Sequence, residues 1–280
     1  MRLAWWGGVT DFKTLLVDTV RPGVVQVTLN RPALRNAVDR TMHHELSDVF
    51  IRLRSVPDLG AIVLTGAGDV FCAGGDFRLM EEFQEDDWRR TVRMMDEGIT
   101  LVRDLLQIPP PVVAAVNGNA YGLGATLALL CDFIVISESA SLADTHTRAG
   151  IVAGDGGTLV WPHILGHVRA KEFLLTGDPV DAKTALSMGM VNRVVPADDV
   201  LPAAIEMAGR LAGGPREAIA WTKQAINVTL LRDASQHMPL AIALEARTMM
   251  LPDHREGIAA FRERRPAAWP SNSPEPPPAF

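Results

Sequence analysis

The stretch "PPPVVAAVNGNAYGLGATLALLCDFIVISES", residues 109–139, decides the fold. It opens with a short apolar run over 109–118 that closes on Asn-Gly. Apolar side chains follow one another there without alternating with polar ones, as expected of a strand buried on both faces. Residues 123–130, "LGATLALL", form an apolar helical segment behind a glycine turn. Residues 131–139, "CDFIVISES", then repeat the strand pattern. Strand, glycine turn, helix and strand in that order are the unit of an α/β chain with a mostly parallel, buried sheet.

The same grammar extends outward. Residues 59–68, "LGAIVLTGAG", read as another buried strand ending in glycines, and 23–32, "GVVQVTLNRP", as a valine-rich strand stopped by Pro32. Over 39–56 the apolar residues Met42, Leu46, Val49, Phe50 and Leu53 recur at helical spacing, with Asp39 placed to cap the helix. Variable helices over 79–107 are expected to line any pocket. From about residue 167 the chain is mainly helical, with one short strand at "VNRVVP". The proline-rich end reads as an extended or disordered tail.

Composition narrows the function. The chain has 280 residues, 48% apolar and 21% charged, and a net charge of −6. That supplies a packed core but no basic field for nucleic acid or an anionic membrane. No uninterrupted apolar run approaches the ~20 residues that span a bilayer, and no secretory signal is evident, so a cytoplasmic protein is expected. Cys72 and Cys131 lie in apolar surroundings that fit buried free thiols, with a disulfide left open. The seven histidines show no HExxH spacing, and no metal set emerges. A G-x-S-x-G elbow and the GK[ST] ending of a phosphate loop are both missing.

Two glycine turns, "FCAGGDF" (71–77) and "NGNAYGLGA" (117–125), each follow a strand. Converging backbone N–H groups at such turns would make an oxyanion hole, and the second turn also opens a helix with unpaired donors. A histidine, His146, lies nine positions (155 − 146) before Asp155 in "THTRAGIVAGDGG". Histidine acts as a base near neutral pH, and a carboxylate can fix its tautomer. Against this stand plainer roles: Asp155 as a helix cap, His146 as a structural histidine, His43 and His44 as packing or surface residues. Glu245 likewise fits a salt bridge, and the Met pairs 94–95 and 249–250 fit core fillers.

The ordered series "NRPALRNAV", "AIVLTGAGDVFCAGGDF", "PPVVAAVNGNAYGLGATLALLCDF", "GIVAGDGGTLVWPHILG", "LLTGDPVDAKTALSMGMVNRVVP" and "EGIAAFRERRP" resembles the crotonase (enoyl-CoA hydratase/isomerase) superfamily over about residues 14–266. The resemblance implies a spiral of ββα units with a helical C-terminal trimerisation region, assembled as a homotrimer or homohexamer. The domain division expected is an N-terminal extension over 1–13, a core over 14–200, the trimerisation region over 201–266 and the tail over 267–280. The implied chemistry is an enolate of an acyl-CoA thioester held by two main-chain N–H groups, here Gly75 and Leu123. Leu123 replaces a usual glycine. Coenzyme A would enter as part of the substrate, with no separate cofactor, and Arg35, Ala73, Arg78 and Phe261 (with Arg264) match its binding positions.

Two departures mark the chemistry. The glutamates by which hydratases of this family activate water align with Thr126 and His146, so neither is present. The His146–Asp155 pair followed by "VWPHILG" resembles instead the branch that hydrolyses β-diketones, of the 6-oxocamphor-hydrolase type. There His146 would be the base and Asp155 its partner, and His43 and Glu245 fall near polar positions of that site; Thr126, at the first glutamate position of the hydratases, is a further catalytic candidate. Hydrolytic C–C cleavage of a β-dicarbonyl compound is the sharpest expectation. Hydration or isomerisation with an unconventional base and a non-catalytic acyl-CoA binder are the alternatives.

Overall fold

The computed structural model describes residues 11–85 and 88–273. Residues 1–10 of the expected N-terminal extension and 274–280 of the expected tail lie outside the described residues. The chain runs β1 (Leu15–Arg21), β2 (Val24–Leu29), α1 (Arg40–Leu53), β3 (Ala61–Gly66), α2 (Phe77–Glu85), α3 (Trp88–Gln107), β4 (Val112–Val116), β5 (Ala120–Tyr121) and α4 (Leu123–Leu129). It continues through β6 (Phe133–Ser137), β7 (Ser141–Ala143), α5 (Gly157–Thr176), β8 (Val180–Asp181), α6 (Ala182–Ser187), β9 (Arg193–Val195), α7 (Val200–Ala212), α8 (Arg216–Met249) and α9 (Pro252–Glu263).

Six strands form the main sheet in the order β1-β2-β3-β4-β6-β9, and β5-β7-β8 form a second, smaller one. All neighbours from β2 to β9 are parallel, whereas β1 pairs antiparallel with β2. Two repeats send their first strand to the large sheet and their second to the small one: β4 then β5, β6 then β7. A helix follows each pair, which gives the ββα spiral. β1 is an addition to the sequence reading. Its Leu15 and Val17 point inward while Leu16 and Asp18 point outward, the alternation of a strand with one solvated face.

β3 and β4 are buried along their whole length, because helices cover both faces of the sheet. On one face α1 contributes Met42, Leu46, Val49, Phe50 and Leu53, and α3 contributes Leu101, Val102 and Leu105. Asp39 caps α1 as expected, accepting from the Met42 N–H at 2.8 Å. The other face is covered by Val200, Ala204 and Ala208 of α7, spaced four apart so that one small-residue stripe meets Val63 and Val113. The helical C-terminal third is thus not one layer: α7 belongs to the sheet. α8 instead packs on α3 and α5 and closes the space between them. Cys72 and Cys131 are free, and burial pushes the Cys72 thiol up to about 12.

Candidate active site

The two glycine turns are stitched together by main-chain bonds. Cys72 N donates to Asn119 O at 3.2 Å, and Tyr121 N donates to Cys72 O at 2.9 Å. Gly74 has φ +92°, and a Cβ built on it would lie 3.0 Å from Tyr121 O. Gly122 has φ +53°, and its Cβ would lie 3.6 Å from the Gly74 Cα. Only glycine fits such an approach at positive φ. The N–H groups of Gly75 and Leu123 follow directly, and neither has a hydrogen-bond partner among the described residues. Leu123 is the first residue of α4, where an unpaired donor and the positive helix end coincide. Both residues, expected from the sequence to supply the donors, line one cavity.

His146 lies against the same turn: a Cβ at Gly122 would come within 3.6 Å of its Cε1. The strand β7 ends at Ala143, and Asp144 follows, fully buried. Asp144 Oδ1 lies 2.7 Å from His146 Nδ1 and also accepts from the His146 N–H at 3.2 Å. On the other side of the ring, Nε2 is 3.2 Å from Asp155 Oδ2 and 4.0 Å from Glu245 Oε1. Thr126 Oγ1 donates to Asp155 Oδ1 at 3.3 Å. The expected pair is thus the centre of a larger set. Asp144 was missed by the sequence reading, although an Asp two residues before a histidine is the local pattern that makes this bond.

The electrostatics follow from the packing. Burial opposes charge on His146, but Asp155 and Asp144 outweigh it and hold the imidazolium well above the ordinary histidine range. For Asp155 burial works against the carboxylate, yet the charge and hydrogen bond of His146, with help from Thr126 and the Gly157 N–H, keep it below the usual range. Glu245 is pushed up to about 8, first by burial and then by Asp155 and Asp144, with His146 opposing. At neutral pH the set therefore holds the His146 imidazolium, the Asp155 carboxylate and a neutral Glu245 carboxyl. α5 has Gly156 at its cap position, with no side-chain capping bond of its own, and Asp155 one residue earlier takes the first N–H of the helix, that of Gly157, as well as facing His146. Gly157 must lack a side chain, because a Cβ there would collide with Asp144 Oδ2.

The raised Glu245 has a measurable consequence. In the unfolded chain it ionises near 4.5, whereas in the fold it keeps its proton to about 8, so folding loses stability as pH rises between those values. Glu245→Gln removes that loss. Its melting temperature is expected to exceed wild type by several degrees near pH 8 and by little near pH 4.5. Thermal melts showing the same shift at both pH values would exclude the titration as the cause.

The cavity encloses about 650 Å³ including its open mouth. Its further lining extends two of the plainer readings. Met95 and Met249 pack with core residues as expected of fillers, and together with Met94 and Met80 they also line the cavity. His43 also faces it from α1, whereas the His44 side chain is 67% exposed. Thr126 is fully buried beneath Asp155 and does not line the cavity. The residues expected to bind coenzyme A lie outside the lining. Arg35 is exposed, and its carbonyl accepts from Ala73 N at 3.1 Å, beside the Gly74 turn. Arg78 is exposed on the first turn of α2, and Phe261 lies 5.5 Å from the Phe77 ring.

No sequence spacing suggested a metal, but the fold brings ligand atoms of Asp144, His146 and Asp155 within 4.8 Å of one another. Both ring nitrogens, however, are engaged by different carboxylates on opposite sides. That donor set suits a hydrogen-bonded chain rather than one shared ion.

The sequence profile of the enoyl-CoA hydratase/isomerase family matches residues 19–272, and the chain belongs to that family. Carnitinyl-CoA dehydratase of Proteus mirabilis is 34% identical over 256 residues, 90% of this chain and 96% of that protein. Among solved structures, an enoyl-CoA hydratase/isomerase from Mycobacterium paratuberculosis is 36% identical with TM-score 0.85, covering 89% of this chain and 99% of that one. A β-diketone hydrolase from Anabaena, solved with (S)-3-oxocyclohexyl acetic acid, is 29% identical with TM-score 0.82, covering 89% and 98%. The fold is that of the crotonase superfamily, and the relatives are its enzymes.

Proposed function

We propose that this enzyme hydrolyses a carbon–carbon bond of a β-dicarbonyl acyl chain presented as a CoA thioester. The observation that carries the reading is His146 between Asp144 and Asp155, beside the turn that offers the Leu123 N–H. In its neutral form His146 takes a proton from water as the oxygen adds to the β-carbonyl carbon. The bond between the α and β carbons then breaks, and its electron pair becomes the thioester enolate. The enolate oxygen is held by the N–H groups of Gly75 and Leu123. His146 returns its proton to the α carbon. One water is consumed, and a carboxylic acid and a shortened acyl thioester leave. One imidazole carrying one proton out and back suffices, which suits a site with neither of the two family glutamates.

Glu245 favours a second reading. Its neutral carboxyl, 4.0 Å from His146, supplies an acid beside a base, which is what hydration of an enoyl thioester needs. Mass spectrometry of products separates the two. With 3-oxoacyl-CoA esters, cleavage yields a free acid and acetyl-CoA. Hydration of crotonyl-CoA with intact 3-oxoacyl-CoA would establish the second reading instead, and binding of both without turnover would leave a non-catalytic binder.

The same reading includes a homotrimer or homohexamer. Trp221, Ile226, Val228 and Leu240 of α8 are exposed, and large exposed apolar side chains support a partner copy. A cytoplasmic location and the absence of any cofactor beyond substrate CoA are parts of the proposal. No helix among the described residues is long and apolar enough to cross a membrane.

A further inference from the structure

Away from His146 the cavity has a second polar feature. His43 is buried on α1, and its Nδ1 lies 3.4 Å from Glu97 Oε2 of α3. The other oxygen of Glu97 is taken by His44 Nδ1 at 3.1 Å, which fixes the carboxylate from outside. The hydrogen bonds of His43 and then His44, against the effect of burial, hold Glu97 below the usual range, so it stays ionised. With Nδ1 turned to Glu97, the remaining ring nitrogen, Nε2, points toward Gly98, where a built Cβ would lie 3.8 Å from it. Among the described residues Nε2 has no hydrogen-bond partner, and both His43 and Gly98 line the cavity. An imidazole held by a carboxylate on one side, and open to a substrate cavity on the other, is built to meet a polar group.

Its position along the cavity can be read from α8. The same Gly98 site lies 3.6 Å from Ile242 Cδ1, so His43 and Ile242 stand at one level of the cavity. Glu245, which stands 4.0 Å from His146, is three residues (245 − 242) further along the helix. That places the open nitrogen about 4.5 Å along the helix axis from the Glu245 level. The lining of the same cavity includes Met94, Met95 and Ile242, flexible and apolar side chains suited to an acyl chain.

Resting on the thioester reading above, we propose that His43, positioned by Glu97, recognises an oxygen function on the acyl chain a few carbons beyond the reacting centre. The enzyme then selects oxygen-bearing acyl thioesters over plain hydrocarbon ones. A hydroxyl donates to Nε2 of the neutral ring, and a carboxylate accepts from the charged ring, whose second proton stays with Glu97.

Binding tests this without requiring turnover. Adipoyl-CoA and the thioester of terminally hydroxylated hexanoic acid are compared with hexanoyl-CoA by calorimetry. Wild type is expected to bind at least one oxygen-bearing ester about tenfold or more tightly than hexanoyl-CoA. In His43→Leu that ratio collapses to about one. His43→Gln and Glu97→Gln, which keep polarity and volume, should reduce the ratio in folded protein and decide the matter if the leucine variant does not fold. Equal wild-type affinities for all three esters would overturn the inference and leave thioester binding standing. A preference that survives in all the variants would overturn the role of His43. Failure of every ester to bind would overturn this inference and the CoA reading together.

Discussion

His146→Ala lowers kcat by about 10²–10⁴-fold on the cleaved substrate, while thioester binding persists. The size follows from the proton count. In the proposed reaction His146 both accepts the proton of water and returns it to the α carbon, so its loss removes base and acid at once. The oxyanion donors are main-chain groups of Gly75 and Leu123 and remain in place, so affinity survives. Removal of the ring also leaves Asp144 buried without its partner. An uncompensated buried charge costs about 3–5 kcal/mol, so turnover is measured on the folded fraction, and His146→Gln serves as the polar control. The wild-type pH profile carries the same signature. Asp155 and Asp144 hold His146 protonated above neutrality despite burial, so the base form is reached only at higher pH. kcat/KM should climb through the neutral-to-alkaline range. Turnover in the alanine variant within about threefold of wild type would remove His146 from the chemistry.

Asp144→Asn is the second large effect, about 10³–10⁴-fold in kcat, although Asp144 touches no substrate. It is a positioning residue. Its carboxylate accepts from Nδ1 at 2.7 Å and so turns Nε2 toward Asp155 on the cavity side. An amide in its place can turn its NH2 to Nδ1 and stabilise the opposite tautomer. The change also removes a negative charge beside the ring, so the pKa of His146 falls and the climb of kcat/KM shifts to lower pH. A purely structural role for Asp144 predicts lost stability with the wild-type pH profile retained. Asp155→Asn provides the comparison. It shifts the profile in the same direction, and because an asparagine side-chain oxygen can still accept the Gly157 N–H at the start of α5, melting temperature should barely move. A drop in melting temperature with full activity per folded molecule would return Asp155 to the capping role.

Much of this protein was legible in its sequence. Continuous apolar runs became β3 and β4 because a strand covered on both faces admits no polar side chain. Asp39 announced α1, since the cap is a local bond to a residue three positions on. The glycines of the two turns marked where backbones must approach, and so located Gly75 and Leu123. His146 and Asp155 were named as a pair because a short loop can bring them together. The sequence by itself therefore determined what depends on neighbours along the chain: strands, caps, turns and the pairing of His146 with Asp155.

The tertiary structure decided which side chains share a cavity. Glu245 lies ninety-nine residues (245 − 146) from His146, and nothing local distinguishes it from a surface salt-bridge glutamate. It acquires its raised pKa only because α8 crosses α3 and α5 and removes it from water. Met94 and Met95 read as filler because helical spacing shows that a residue faces inward, not whether packing or an opening meets it there. His43 and Glu97 sit on different helices, and their bond exists only where α1 and α3 pack. Asp144 was within reach of His146 all along, but full burial and the fixed face of β7 make it the group that orients the ring. Charge states and ring orientations depend on desolvation and direction, which arise from contacts distant in sequence and are settled only when the chain is folded.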